Sequence, residues 1–327
     1  MADNGTALSG SLHAELIAGG RSNRTFALTD GERRWVLRTP PRTGRTPSAH
    51  DMAREFRVTA ALRDTDVPVP PACALHEDES LIGGPFVITE YVAGRSVQTR
   101  DELEALDTTV IGELATALVS TLAALHRVDH VAVGLGTFGR PDGYFARQLR
   151  RWSGQWGLVG DPALGGLARC VITKLSSTAP GQRHTAIVHG DYRVDNTILE
   201  FVGRGPRVAA VVDWELSTIG DPVADVAMMC AYRDPAFDLI VGAPSAWTSS
   251  ALPTIDEMAA SYETAGGVPL DNWESHLALA YFKIAVIAAG IDYRRASGSG
   301  SGVGFDTAGA AVEPYLSRAW TMLGGSR

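Results

Sequence analysis

Lysine is nearly absent from this chain. Two lysines, Lys174 and Lys283, stand against 27 arginines in 327 residues, a bias that reads as genome composition and carries no function by itself. Cysteine is scarce as well. Cys73, Cys170 and Cys230 are scattered without a CxxC pair, which argues against a disulfide scaffold or a structural zinc site and points to a reducing, cytoplasmic setting. Excess positive charge is missing too. A formal charge of −8 gives no general attraction for nucleic acid. The opening MADNGTALSGSLHAEL lacks the basic start and continuous apolar run of a signal peptide. The most apolar late stretch, residues 277–291, is short for a bilayer and carries Lys283, so a core helix and no membrane association are expected. There is no HExxH, no GxSxG and no GxxxxGK, which leaves zinc-peptidase, serine-hydrolase and P-loop chemistry without their motifs.

What is present is an ordinary globular composition, 45% apolar and 20% charged, at a length that suits two lobes around a cleft. The first part carries strand signals. A turn at Gly19 and Gly20 precedes strand-like runs at 24–28 and 35–38, joined by Thr29-Asp30-Gly31-Glu32 with its Asp-Gly turn. Residues 51–63 place Met52, Phe56, Thr59 and Leu62 at helical spacing, VPVPP at 67–71 ends that helix, and 72–78 and 85–92 read as strands. After Gly94 the pattern turns helical, with helices expected at 101–126, 141–156, 225–232, 255–265, 273–291 and 312–323. A buried strand at 185–189 and a strand pair at 196–202 and 207–212 interrupt them, and ASGSGSG at 296–302 looks like a flexible insertion. The expectation is an α+β protein of two lobes, a strand-rich one over 1–93 and a larger, mainly helical one over 94–327.

The chemistry concentrates in HGDYRVDN at 189–196 and VVDWE at 211–215. A strand ends at His189 and a loop presents Asp191. Asn196 opens the next strand, and a hairpin returns Asp213 at the end of its second arm. Asp191, Asn196 and Asp213 therefore lie at adjacent strand ends and can converge. Phosphoryl transfer needs such a set: one carboxylate to orient a hydroxyl and take its proton, an amide oxygen and a second carboxylate to hold Mg²⁺ against phosphate oxygens. Oxygen donors of this kind suit Mg²⁺ better than zinc. Asp195, taken alone, reads as a turn former.

Residues 189–225 resemble the signature of the aminoglycoside phosphotransferase and choline kinase superfamily, and more closely the kinase domain fused to certain animal acyl-CoA dehydrogenases and its actinobacterial relatives. HGDYRVDNTI at 189–198 and VVDWELSTIGDPVADVA at 211–227 carry the resemblance most specifically. AGGRSN at 18–23, WVLR at 35–38, MAREFRVTAAL at 52–62, FVITEYVAG at 86–94 and LALAYFKIAVIAAGI at 277–291 follow it in the right order. The resemblance runs over roughly 15–295 and implies a bilobal, protein-kinase-like fold.

It also implies roles. Asp191 would orient the acceptor hydroxyl; Asn196 and Asp213 would hold Mg²⁺, with DWE where protein kinases have DFG; His189 would be a structural residue of the loop. Gly19, Gly20, Ser22 and Asn23 would form the nucleotide loop, whose backbone N–H groups cradle phosphates. Arg38 stands where kinases carry the phosphate-binding strand lysine, with Glu55 as its partner; a guanidinium fork in place of an ammonium changes the pairing geometry. Glu90, Tyr91 and Val92 would be the hinge that binds adenine through backbone groups. Asp221 and Asp225 match scaffold positions, and Asp225 is expected to cap an apolar helix.

The implied activity is ATP- and Mg²⁺-dependent phosphorylation of a hydroxyl on a small molecule, by a monomer or homodimer. On the acceptor side, Arg193 and Asp195 flank the catalytic loop, and Lys283, Arg294 and Arg295 sit on or after the apolar helix. That set leans towards a hydroxy acid or hydroxyacyl thioester, because a polycationic aminoglycoside needs several carboxylates facing it. The alternatives are an aminoglycoside or other amino-sugar phosphotransferase, and a nucleotide-binding pseudokinase. Protein kinase activity is disfavoured by the absence of DFG and APE.

Overall fold

The structure, a computed structural model, describes residues 8–19, 23–41, 51–201, 205–300 and 302–326. The expected α+β architecture is what the chain adopts. Strands β1 (His13–Gly19), β2 (Arg24–Thr29), β3 (Arg34–Thr39), β4 (Ala72–His76) and β5 (Phe86–Glu90) form one antiparallel sheet in the order β1-β2-β3-β5-β4. The β2–β3 turn follows its sequence signal. The Asp30 carboxylate accepts the N–H groups of Glu32 and Arg33, and Gly31 takes φ 95°. Strand β1 escaped the sequence reading. It is an edge strand, exposed along residues 11–17, with Leu16 and Ile17 both about half exposed, so no in/out alternation marks it.

Helix α1 (Met52–Leu62) starts at Asp51, whose side chain accepts the Arg54 N–H. It buries Met52, Glu55, Val58, Thr59 and Leu62. Phe56, expected on the buried face, is only half-buried. The sheet has its own small core of Leu28, Trp35, Ala74, Phe86 and Ile88, whereas Val58 and Leu62 of α1 belong to the large core of the helical part. The helix thus packs into both halves of the molecule.

The chain leaves the sheet through Gly94. This residue has φ 138°, and a Cβ there would lie 2.5 Å from the Leu199 carbonyl oxygen, so only glycine fits. The reason is the next residue: Arg95 and Leu199 exchange two backbone hydrogen bonds of 2.9 and 2.8 Å. Beyond it lie α2 (Arg100–Glu104), α3 (Thr108–Arg127), α4 (Tyr144–Val159), α5 (Gly165–Ser177), α6 (Pro222–Ala231), α7 (Phe237–Val241), α8 (Ile255–Thr264), α9 (Trp273–Ala296) and α10 (Val312–Met322). Two small ladders, β6 (Ala186–Val188) with β9 (Thr218–Gly220) and β7 (Thr197–Phe201) with β8 (Pro206–Val211), complete the fold.

The structure corrects several expected elements. The single helix over 101–126 is two, because Asp107 takes an extended backbone and breaks the ladder. Asp221, not Asp225, caps α6 by accepting the Val223 N–H. Helix α5 went unread because it opens on Gly165 and Gly166; its buried Ala168, Val171 and Leu175 still lie on one face. Helix α9 has 24 residues, so it is long and apolar enough to cross a membrane by length and composition, as α3 also is. Yet 78% of the apolar window of α9 is buried inside the protein, with Leu277, Phe282 and Ala285 among its fully covered residues. The ASGSGSG stretch begins inside α9, and the Ser297 and Ser299 hydroxyls fold back onto the Arg294 carbonyl.

Candidate active site

After β6 the chain turns at Gly190, whose φ is 84°. A Cβ there would meet the Leu216 carbonyl oxygen at 2.9 Å. Asp225 ties this turn down from below. Its carboxylate accepts the His189 N–H at 2.6 Å and the Gly190 N–H at 2.8 Å, and His126 lies 3.3 Å away with its other nitrogen 2.7 Å from the Tyr262 hydroxyl. Burial works to raise the Asp225 pKa, but His126, His189 and the Gly190 N–H outweigh it and keep the carboxylate ionised. The His189 ring is engaged on both sides: Nε2 donates to the Val212 carbonyl at 3.0 Å, and Nδ1 accepts the Asp191 N–H at 3.2 Å. It has no nitrogen left for a substrate.

Asp191 is clamped. Arg193 reaches it with Nε at 3.2 Å and Nη2 at 3.1 Å, and Asn196 Nδ2 donates to its carboxylate at 2.9 Å and to its carbonyl at 2.7 Å. Burial pushes this carboxyl up, but Arg193, Tyr232 and His189 together bring it below the usual range, so it stays charged. Because both neighbours of the Asn196 amide nitrogen are acceptors, the amide orientation is set. The group left to face the cleft, which Asn196 lines, is the amide oxygen.

Asp213 follows β8 in the left-handed region, φ 66° and ψ 58°, and leads into a 3-10 turn over Trp214–Leu216. That backbone swings its carboxylate into the cleft, where it is 30% exposed. Arg38 bridges this group to the sheet side: Nη2 lies 2.9 Å from Asp213 and Nη1 2.9 Å from Glu55. The planar fork joins two carboxylates at once, which an ammonium does less well. Burial pushes the Glu55 carboxyl up to about 7, with Asp213 and Glu215 adding to the rise and Arg38 opposing it.

Arg38, Glu55, Asn196 and Asp213 line a cleft of about 990 Å³ between the sheet and the helical part, with Arg193 and Asp195 beside them. Ile17, Val36, Val87, Ile198 and Val212 supply its apolar walls. Asn23 lines it as well, buried, and donates to Glu215 at 3.3 Å. Gly19 is the last residue of β1, while Gly20 and Ser22 lie outside the described residues. Glu90, Tyr91 and Val92 form one rim. The Glu90 N–H donates to Pro71 and the Tyr91 N–H to Arg34, so of the three hinge N–H groups that of Val92 alone has no partner among the described residues.

Asn196 and Asp213 form the oxygen pair at the cleft, one amide and one carboxylate. Among the described residues no group of three or more His, Cys, Asp and Glu side chains forms a metal site. The pair fits Mg²⁺, which takes few protein ligands and shares the rest of its sphere with phosphates and water, rather than zinc.

A model of the phosphotransferase enzyme family matches residues 13–275. The chain belongs to that family. Acyl-CoA dehydrogenase family member 10 of Mus musculus is 35% identical over 305 residues, which are 92% of this chain and 28% of the relative. The chain therefore spans little more than a quarter of the length of this relative. A crystal structure from Ralstonia eutropha, described provisionally as an aminoglycoside phosphotransferase, superposes with a TM-score of 0.83 at 33% identity, over 97% of this chain and 94% of that one. Aminoglycoside phosphotransferase APH(4)-Ia, in a ternary complex with AMP-PNP and hygromycin B, gives a TM-score of 0.60 at 18% identity, over 95% and 92% of the two chains. The fold is the protein-kinase-like fold of these enzymes.

Within this phosphotransferase the acceptor-side residues sort differently from the sequence expectation. Arg193 lines the cleft, but its nitrogens are engaged by Asp191 and Asp195. It is 13% exposed, its third nitrogen lies 2.7 Å from Asp195, and its guanidinium carbon lies 5.1 and 5.2 Å from the Tyr232 and Phe237 ring centroids. It positions Asp191. Asp195 is half-buried against it, and desolvation raises its pKa despite Arg193. Arg294 and Arg295 are exposed at the far end of α9, roughly 16 Å along the axis from Lys283 at 1.5 Å per residue, and Arg295 pairs with Asp292. Lys283 faces Trp152, with its amine 5.7 Å from the ring centroid. It has no ion pair among the described residues, and burial lowers its pKa against the pull of Asp191 and Asp225. Sequence reading missed Tyr232, His126 and Arg54 altogether. Each acts through a partner far along the chain, so no local spacing announces it.

Proposed function

We propose that the protein transfers the γ-phosphoryl group of ATP to a hydroxyl of a small hydroxy acid or hydroxyacyl thioester, with Mg²⁺. The observation that carries this reading is the convergence of a clamped, ionised Asp191, the cleft-facing oxygen of Asn196 and the Asp213 carboxylate. Residues 1–93 would serve as the nucleotide lobe and 94–327 as the catalytic and acceptor lobe. Asp191 accepts the hydrogen bond of the acceptor hydroxyl and takes its proton as that oxygen bonds to the γ-phosphorus and the bond to the ADP oxygen breaks. Arg38 meets the phosphates, held in place by Glu55. Asn196 and Asp213 would hold Mg²⁺, which when bound neutralises charge on the phosphate oxygens. The Val92 N–H is the hinge donor open to the base. ATP as the nucleotide finds support in the AMP-PNP complex of APH(4)-Ia.

For the acceptor, two lines of support converge. Lys283, without an ion pair among the described residues, offers a cation close enough to Asp191 and Asp225 to feel their charge. The relative from Mus musculus is named as an acyl-CoA dehydrogenase, which points to acyl chemistry. The test is kcat/KM for hydroxy acids and their CoA thioesters against kanamycin-type amino sugars, at equal Mg²⁺ and salt. A preference for an amino sugar of about tenfold, roughly 1.4 kcal/mol of transition-state stabilisation, overturns the acceptor assignment and leaves phosphotransfer standing. A thermal shift with ATP and Mg²⁺ but no turnover on any acceptor identifies a nucleotide-binding pseudokinase instead.

Glu55 makes the rate pH-dependent. Its folded pKa, about 7, lies above the ordinary 4.5. It therefore binds its proton more tightly in the folded state, so its own contribution to stability falls as pH rises from about 4.5 to 7. Activity runs the other way: below neutrality Glu55 takes up a proton and Arg38 loses one of two anchors. Rate measured against pH should show an acid limb near 7 that Glu55→Gln removes. An unchanged limb in that variant would assign it to another group.

A further inference from the structure

Helix α1 carries, beside Glu55, an arginine with an unusual set of partners. Arg54 Nε and Nη2 donate to the Ser217 carbonyl at 3.0 and 2.9 Å, and Nη2 also donates to the Phe138 carbonyl at 2.7 Å. The guanidinium lies flat over the Phe138 ring, 3.9 Å from its centroid. It has no ion pair among the described residues, and burial lowers its pKa from the ordinary arginine value. A half-buried cation satisfied only by carbonyl dipoles and a ring face costs desolvation, so its value lies in what it joins.

Ser217 closes the turn that Asp213 opens. Its N–H and its hydroxyl both bond back to the Trp214 carbonyl, at 3.0 and 2.7 Å. Arg54 therefore spans from the helix that holds Glu55 to the turn that holds Asp213, the two carboxylates that Arg38 bridges. Arg57, one turn further on, points the same way but among the described residues holds only the 134–138 segment, without a hydrogen bond to Ser217: its Nη2 donates to the Gly134 carbonyl and the Thr137 hydroxyl.

We propose that Arg54 is a positioning residue that fixes the spacing between Glu55 and Asp213, so that the Arg38 bridge is assembled before nucleotide arrives and α1 does not swing as an activation switch. The proposal rests on the phosphotransfer reading above for its kinetic consequence, though not for its structural one. Protein kinases that are switched move the equivalent helix; here the helix is bolted by carbonyl acceptors on two segments of the larger part, and its apolar face lies in the large core.

The test compares Arg54→Ala and Arg54→Lys with Arg57→Ala in the full chain. Arg54→Ala should raise the KM for ATP by about tenfold or more, the scale of one lost charged hydrogen bond, and shift the acid limb assigned to Glu55. Arg54→Lys, which reaches one carbonyl at most, should fall between. Arg57→Ala should lower the melting temperature with the ATP KM and the pH limb unchanged. Hydrogen exchange supplies a readout independent of turnover: Arg54→Ala should speed exchange in both 52–62 and 214–217, and Arg57→Ala should leave 214–217 protected. Equal effects of the two alanine variants on ATP KM, or exchange at 214–217 unmoved by Arg54→Ala, would overturn the positioning role. If the wild type binds no ATP, the phosphotransfer reading fails by itself, while the exchange comparison still decides whether Arg54 couples the two segments.

Discussion

Replacing Asp213 with Asn is expected to lower turnover by on the order of 10³-fold, the scale of removing one charged ligand from a catalytic metal site. The amide keeps the size of the side chain. Asn also tolerates the left-handed backbone at φ 66°, so the turn into Trp214 survives and the melting temperature changes little. What disappears is charge. On the proposed reading the metal would lose its one carboxylate among Asn196 and Asp213, and Arg38 loses the partner at 2.9 Å. The requirement for Mg²⁺ should therefore rise as turnover falls. Initial rates over a Mg²⁺ series, with melting temperature as the control, check this. Near-wild-type rates at low Mg²⁺ would remove Asp213 from the metal site.

Asp191→Ala should cost on the order of 10²-fold or more in kcat, the usual scale for a positioned proton acceptor. ATP affinity should persist, because on the proposed reading the nucleotide would be held by Arg38, the hinge and the apolar walls rather than by this loop. Arg193→Ala should resemble it in kind: lower kcat, with the KM for the acceptor moved less. The guanidinium donates twice to Asp191 and once to Asp195, so its removal leaves two half-buried carboxylates without their cation. Acceptor and ATP titrations on both variants separate the outcomes. An Arg193→Ala enzyme with normal kcat and a raised acceptor KM would return this arginine to the acceptor site. An Asp191→Ala enzyme that loses ATP affinity but keeps kcat would reassign the aspartate to nucleotide binding.

Much of the site was legible because its parts are close in sequence and their chemistry demands particular side chains. Asp191, Asn196 and Asp213 lie within 23 residues on a loop and a hairpin, and strand ends brought together by one hairpin must be neighbours in space. The Asp30-Gly31 turn and the α1 cap at Asp51 are local in the same sense. Arg38 and Glu55 were paired through the family resemblance, and their separation of 2.9 Å agrees with it.

The limits have one physical cause: a sequence states what a side chain is, and packing states where its far end goes. The chain by itself determined the α+β class, most of the strands and longer helices and the trio at the strand ends, since these follow from local propensity and short spacing. Tertiary structure alone decided that Arg193 turns inward onto Asp191 and Asp195, when composition allowed it equally to face an acceptor. It decided that Arg294 and Arg295 lie far down α9, because helix rise, not sequence nearness to Lys283, sets that distance. It decided that Arg38 bridges Glu55 and Asp213 across 175 residues of chain, and that Arg54 joins their two segments through carbonyls whose positions only the folded backbone fixes. One arginine among 27 carries no local mark of such a role; its meaning comes from acceptors that the packing of α1 into the large core brings within reach.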